Sequence, residues 1–183
     1  MNEVRFHGRG GQGVVTTSKI LANAFVRTGR YGASFPMFGF ERRGAPVTAF
    51  GRFSDQPVRE KTQIYTPDIL VVLDPSQKDS DTVFQGLKPG GMMLLNHGAT
   101  DKKIAAHKNL MKLALIDAGG IALEEIGIPI PNTVMAGAFA GMSGLVDVGS
   151  VVAALEDFFE GDRLKANTRC VKRGYNELKV YDL

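Results

Sequence analysis

Residues 68–74 read Asp68-Ile69-Leu70-Val71-Val72-Leu73-Asp74. A continuous apolar run closed at each end by a carboxylate is the pattern of a strand covered on both faces, and such strands belong to parallel sheets. We therefore expect a buried parallel strand here. The other elements of the chain are read outward from it.

Upstream, residues 3–7 form a short strand that runs straight into glycines. A helix is expected over 12–27, with Val14, Leu21, Ala24 and Phe25 on one face at helical spacing. A second strand spans 31–36, a loop containing glycine and arginine spans 38–46, and residues 47–53 alternate like a strand. Residues 55–57 then supply turn chemistry before another extended stretch. Downstream, residues 76–87 can form a helix, and Lys88-Pro89-Gly90-Gly91 turns into a strand over 92–96. Residues 97–109 are polar and carry no clear pattern. A strand over 113–117 and a short helix over 121–126 follow.

From Asn132 onward the pattern is helical. Met135, Ala138, Phe139 and Met142 share one face, and Val148, Val151, Val152, Leu155, Phe158 and Phe159 make a second stripe. Asp162 is placed to cap a last helix that turns Leu164, Val171, Tyr175 and Leu178 inward. Strands alternating with helices give an α/β fold: an open, mostly parallel, Rossmann-like sheet with helices on both faces and a helical C-terminal third. No repeat or linker divides residues 1–183, which predicts a single domain.

Apolar residues make up 44% and charged residues 22% of the 183 positions, ordinary for a domain with a real core. No apolar run nears the ~20 residues that span a bilayer, so no membrane role is expected. The opening residues lack a signal-peptide pattern, and the cytoplasm is the expected location. The net charge is only +3, but no acid stands between Glu3 and Glu41, an interval that holds Arg5, Arg9, Lys19, Arg27 and Arg30. Such a segment suits an anionic ligand or an acidic partner surface. Without basic blocks or aromatics spaced for base stacking, it argues against nucleic acid.

Cys170 is the only cysteine, and His7, His97 and His107 are scattered. A [4Fe–4S] cluster takes four thiolates and a structural zinc site several Cys or His, so neither cluster nor metal is expected on this chain. Cys170 reads as a small core residue of the last helix. No nucleophile stands at recognisable spacing from a base, and no catalytic residue is assigned.

Two loops are unusual. Gly8-Arg9-Gly10-Gly11-Gln12-Gly13 fits G-x-G-x-x-G between a strand and a helix, where glycines allow close backbone approach and the helix start offers N–H groups to an anion. A dinucleotide site would also need an acid near residue 33, at the end of the second strand, and none is there. A phosphate or carboxylate of another ligand, or a purely structural turn, remain open. The second loop is Phe40-Glu41-Arg42-Arg43-Gly44-Ala45-Pro46, preceded by Phe35 and Phe38. Arg42 and Arg43 can grip an anion in bidentate fashion, and arginine with aromatics also marks interface centres. A solvated surface loop is the third reading.

At these loops the chain resembles the gamma subunits of the pyruvate:ferredoxin (2-oxoacid:acceptor) oxidoreductase family. Their opening R-x-H-G-x-G-G-Q-G is matched by Arg5 through Gly13, and E-R-R-G-A-P-V by Glu41 through Val47. The segment N-T-V-M-x-G-A-F-A is matched by Asn132 through Ala140, and a strand ending in aspartate and proline by Asp74-Pro75. The resemblance implies a complex that converts a 2-oxoacid and coenzyme A into acyl-CoA, CO2 and two electrons for ferredoxin or a similar acceptor, with pyruvate favoured.

It further implies alpha and beta chains holding thiamine diphosphate and a ferredoxin-like delta chain holding [4Fe–4S] clusters. The gamma chain would be mainly architectural, bordering the coenzyme A site through Gly8, Gly10, Gly11, Gln12, Gly13, Arg42, Arg43 and Asn132. It would meet its partners through Phe38, Phe40, Glu41, Arg42 and Arg43. A complex specific for indolepyruvate, an arylglyoxylate or a branched 2-oxoacid is the alternative within the family. A free-standing nucleotide-binding module is the alternative outside it.

Overall fold

The structure, a computed structural model, describes residues 1–37, 44–98 and 107–183. Seven strands form one sheet: β1 (Asn2–Arg9), β2 (Tyr31–Pro36), β3 (Pro46–Ser54), β4 (Ile69–Val72), β5 (Gly91–Asn96), β6 (Leu110–Ile116) and β7 (Lys179–Asp182). The helices are α1 (Val14–Arg27), α2 (Asp81–Phe84), α3 (Ala118–Ile126), α4 (Asn132–Ser143), α5 (Val148–Ala154) and α6 (Gly161–Asn176). Single 3-10 turns lie at Pro75–Gln77 and Leu155–Asp157.

The strand order is β2-β3-β1-β4-β5-β6-β7. The four central strands β1, β4, β5 and β6 are paired in parallel, whereas β3 and β7 run antiparallel to their neighbours. The 68–74 run is the strand it was expected to be. Its residues divide by parity: Ile69, Val71 and Leu73 join the large core under the helices, while Leu70 and Val72 face the opposite core with Met93, Leu95, Leu113 and Leu115. Each such side chain, fully buried, contributes about 1.5–3 kcal/mol of transfer free energy.

Helical cover is lopsided. On one face α1, α4, α5 and α6 pack together over the sheet, while the described cover of the other includes the one-turn helix α2 with Val83, Phe84 and Leu87. The helix expected over 76–87 is instead a 3-10 turn followed by α2. Gly86, at φ +75, packs so close to the Tyr65 carbonyl that no helix passes through it. The stripe from Val148 to Phe159 does face the core, but its helix ends at Ala154. Asp162 is not the cap of α6: Glu160 holds that position, and Asp162 sits in the first turn. Tyr175 is 43% exposed rather than inward, whereas Val171 is buried and Leu164 and Leu178 are packed against the core.

Where α4 crosses α6 the backbones touch. A Cβ on Gly137 would fall 1.9 Å from the Val171 carbonyl oxygen, and one on Gly174 2.1 Å from that of Val134. This crossing fixes the start of α4, and with it Asn132, against the sheet. Asn96 performs a similar task at the carboxyl end of β5. Its Nδ2 donates to the Leu73 carbonyl at 2.8 Å, and its Oδ1 accepts from the N–H groups of Ala118 and Gly119 at the start of α3. No helix among the described residues is long and apolar enough to cross a membrane.

Candidate functional site

The glycine loop leaves the carboxyl end of β1 and enters α1, the place where open α/β sheets receive ligands. Gly8 has no room for a side chain, because a Cβ there would lie 2.6 Å from Val14 Cγ2 and 2.9 Å from Gln12 Oε1. Gln12 closes the turn on itself: its Oε1 accepts from the Arg9 N–H at 2.7 Å and its own N–H donates to the Arg9 carbonyl at 3.1 Å. Gly10 continues β1 by pairing with the second loop. Its N–H donates to the Ala45 carbonyl at 2.9 Å, and its carbonyl accepts from Gly44 N–H at 3.2 Å.

Gly13 caps α1 in the left-handed conformation, with no side chain bonding to the first turn. Thr17 N–H makes the first helical bond, to the Gly13 carbonyl at 2.8 Å. The N–H groups of Val14, Val15 and Thr16 precede that bond, so the helix gives them no partner and they carry the positive end of its dipole. Asn132, from the third motif, lies directly over this point. A Cβ on Gly13 would stand 2.6 Å from Asn132 Cβ and 3.0 Å from its Nδ2. Thr17 ties the two segments by donating to the carbonyls of both Gly13 (3.0 Å) and Asn132 (3.2 Å).

Asn132 is 8% exposed. Its Oδ1 accepts from Thr133 N–H at 2.8 Å, while its Nδ2 donates to no acceptor among the described residues. The cleft so formed has a volume of about 350 Å³ and is bordered by Arg9, Gly10, Gly13, Val47, Ile130 and Asn132, among others. Ile130 and Asn132 also border a groove of about 930 Å³ that runs past Ile128, Phe158 and Phe159. The N–H-rich cleft thus shares the Ile130 and Asn132 border with a longer groove whose lining mixes apolar side chains with Glu125, Glu156, Asp157, Glu160 and Asp162.

The structure brings together Gly8, Gly10, Gly11, Gln12, Gly13 and Asn132. Phe38, Phe40, Glu41, Arg42 and Arg43 lie outside the described residues; the same loop is described from Gly44, where it is bonded to Gly10. The positive segment is a different matter. Arg5 is buried, donating to His7 Nε2 and to the carbonyls of Val83 and Gln85, both at 2.7 Å, and burial lowers its pKa. Arg27 pairs with Asp157, and Arg30 pairs with Asp55 and lies over the Phe25 ring. These cations serve the fold, so the absence of nearby acids in sequence did not mean free positive charge in space.

Two residues of the site were not singled out by sequence reasoning. Arg9 was only one cation among five, although its place inside the glycine motif was a usable signal. Val47 is the continuation of the second loop and forms one wall.

The dinucleotide reading also loses its geometry. β3 stands between β1 and β2, so the end of β2 is not beside the glycine loop as a ribose-binding acid requires.

Known proteins bear on this arrangement. The family model for pyruvate ferredoxin/flavodoxin oxidoreductase matches residues 3–177. The common subunit gamma of pyruvate/ketoisovalerate oxidoreductases from Thermococcus litoralis is 50% identical over 185 residues, covering 100% of both chains. The crystal structure of pyruvate oxidoreductase subunit PORC from Thermotoga maritima superposes with a TM-score of 0.87 at 34% identity, covering 99% of this chain and 98% of that one. A 2-oxoglutarate:ferredoxin oxidoreductase from Magnetococcus marinus, solved with 2-oxoglutarate, coenzyme A and succinyl-CoA bound, shares the fold. Its TM-score is 0.71 at 19% identity, over 94% of this chain and 30% of that longer one.

Proposed function

The chain belongs to the pyruvate ferredoxin/flavodoxin oxidoreductase family, and from that premise we propose that its glycine cleft borders the coenzyme A site of the complex. It is the gamma subunit of a pyruvate/2-oxoacid:ferredoxin oxidoreductase, part of an enzyme with other subunits. In this reading the first-turn N–H groups of α1 and the Asn132 amide receive an anionic group of coenzyme A. Backbone donors at a helix start suit a phosphate. The groove past Ile128 and Phe158 offers the length that a cofactor-sized ligand needs, since about 350 Å³ alone is at the small end for such sites.

The observation that carries the reading is the seating of Asn132 on Gly13. Two segments far apart in sequence meet there, and they leave an amide nitrogen and three backbone donors facing one cleft. Thiamine diphosphate and [4Fe–4S] clusters fall to the partner chains: one cysteine cannot supply four thiolates. The partners are alpha and beta chains and a ferredoxin-like delta chain, in the cytoplasm, with ferredoxin or a similar protein as acceptor. The contact surface is the arginine-bearing loop, Phe38, Phe40, Glu41, Arg42 and Arg43. In sequence it follows β2, an edge strand whose residues Tyr31 to Pro36 carry no charge. Charged side chains are the usual protection of an exposed edge, so an uncharged one suits cover by another chain.

The test is the steady-state kinetics of the reconstituted complex with Asn132→Leu. A raised KM for coenzyme A with an unchanged KM for pyruvate supports the cleft; equal values for coenzyme A in variant and parent sink it. For the partner surface, Arg42→Ala with Arg43→Ala should weaken assembly or coenzyme A use while leaving the fold intact.

A further inference from the structure

Asp74 closes the run that decides the fold, yet nothing proposed so far gives it a task. It is 6% exposed, and both its oxygens are used. Oδ1 accepts from Ser76 N–H at 2.9 Å, capping the 3-10 turn, and Oδ2 accepts from Arg9 Nε at 2.5 Å. The rest of the Arg9 fork is engaged nearby. One terminal nitrogen donates to the Gly44 carbonyl at 3.1 Å and the other to Ser76 Oγ at 3.3 Å. Gly44 and Ala45 are in turn bonded to the backbone of Gly10. Three chain segments therefore meet on one guanidinium: the glycine loop, the end of β4, and the approach to β3 that carries Val47.

An arginine at the mouth of an anion cleft invites reading as a ligand. The geometry points elsewhere. We propose that Arg9 is a positioning residue: gripped by Asp74, it fixes the chain at Gly44 and Ala45, and so the Val47 wall of the cleft, without binding the anion. This rests on the coenzyme A reading above. Burial raises the Asp74 pKa, but bonds from Ser76 and Arg9 outweigh it and hold the group below the ordinary carboxylate range, so Asp74 stays ionised at neutral pH.

The two roles predict opposite signs for one substitution. Asp74→Asn keeps the side-chain shape and the bond from Ser76 but releases Arg9. If Arg9 positions the wall, Asp74→Asn and Arg9→Gln should each raise KM for coenzyme A roughly tenfold, a coupling usual for neighbouring groups, with a smaller change in kcat. The double variant should be no worse than the more affected single one. Arg9→Lys should behave like Arg9→Gln, because an ammonium can reach Asp74 but cannot bridge to Gly44 and Ser76 as a fork.

These kinetics are measured on the reconstituted complex with pyruvate held saturating, beside Asn132→Leu. A KM for coenzyme A that falls or stays level in Asp74→Asn overturns the proposal and makes Arg9 a ligand. Effects that multiply in the double variant overturn it as well. Loss of assembly in both single variants would make the pair a stability element and equally end the proposal. If Asn132→Leu leaves KM for coenzyme A unaltered, the cleft reading itself has failed and this inference falls with it. If Asn132→Leu raises KM while the Arg9 and Asp74 variants do nothing, only the positioning role is lost.

Discussion

Arg5 donates from its Nε to Nε2 of His7 at 3.0 Å, two residues along the same face of β1 and both buried. The imidazole must therefore be neutral, with its proton on Nδ1, so that Nε2 can accept. Burial, and then the charge of Arg5, lower its pKa from 6.5 to about 3.

That pair sets a pH dependence. Below about pH 6.5 the unfolded chain binds a proton at His7 that the folded chain refuses until about pH 3. The native state thus has its full advantage above 6.5 and loses it as pH falls through that window, by about 1.4 kcal/mol per pH unit. His7→Gln keeps an acceptor for Arg5 and removes the titration. Urea unfolding of the chain at pH 7, 5.5 and 4.5 should show a shallower loss for the variant, and equal slopes would contradict the assignment.

The crossing of α4 and α6 predicts a sharp contrast among three glycines. Gly137→Ala and Gly174→Ala each drive a methyl into a carbonyl oxygen of the facing helix, and should cost about 3 kcal/mol or more of overpacking. Gly141 meets only side-chain and backbone atoms at 3.3 Å or beyond. Gly141→Ala should be close to neutral, since the helix preference for alanine, about 1 kcal/mol, offsets the tighter contact. Thermal unfolding of the three variants is the measurement.

In the cleft, Gly11 and Gly13 both have positive φ but differ in surroundings. At Gly11, with φ +96, a methyl would meet nothing within 4 Å, whereas at Gly13, with φ +77, it would strike Asn132. Gly11→Ala should cost backbone strain alone, about 1–2 kcal/mol. Gly13→Ala should cost more and also raise KM for coenzyme A in the assembled complex. Indistinguishable stabilities and kinetics would show that Asn132 is not seated there in solution.

Substituting Asn132 by aspartate tests the sign of the ligand's charge. Asn132→Asp keeps the size and the bond from Thr133 but faces the cleft with a carboxylate. KM for coenzyme A should rise at least tenfold, by more than for Asn132→Leu, and the excess should shrink as salt is added. A neutral or cationic ligand group at this point would reverse the order of the two variants.

The central strands β4 and β5 were legible because each is covered on both faces and reads as an apolar run, as 68–74 does, whereas β1 carries Glu3, Arg5 and His7 and was legible mainly from the glycines that follow it. The turn of Gly8 through Gly13 was legible too, since its glycines stand where side chains have no room. β7 was not foreseen: its four residues Lys179 to Asp182 have no apolar run, and they become a strand only because the edge of β6 pairs with them. The fate of Arg5 was equally hidden. Local sequence shows a cation two residues from Glu3, but Glu3 pairs with Arg52 and the carbonyls that satisfy Arg5 come from residues 64–85. Asn132 entered through resemblance rather than periodicity, because nothing near it in sequence says that it will meet Gly13.

The bond from Thr17 to Asn132 spans 115 positions. A ribosome delivers the amino end first, and domains fold as units while they emerge. The nascent polypeptide therefore carries its glycine turn for most of translation with one side missing, and only the arrival of α4 completes it. Completion of that turn is thus deferred until nearly three-quarters of the chain has been made, a delay written into the topology itself.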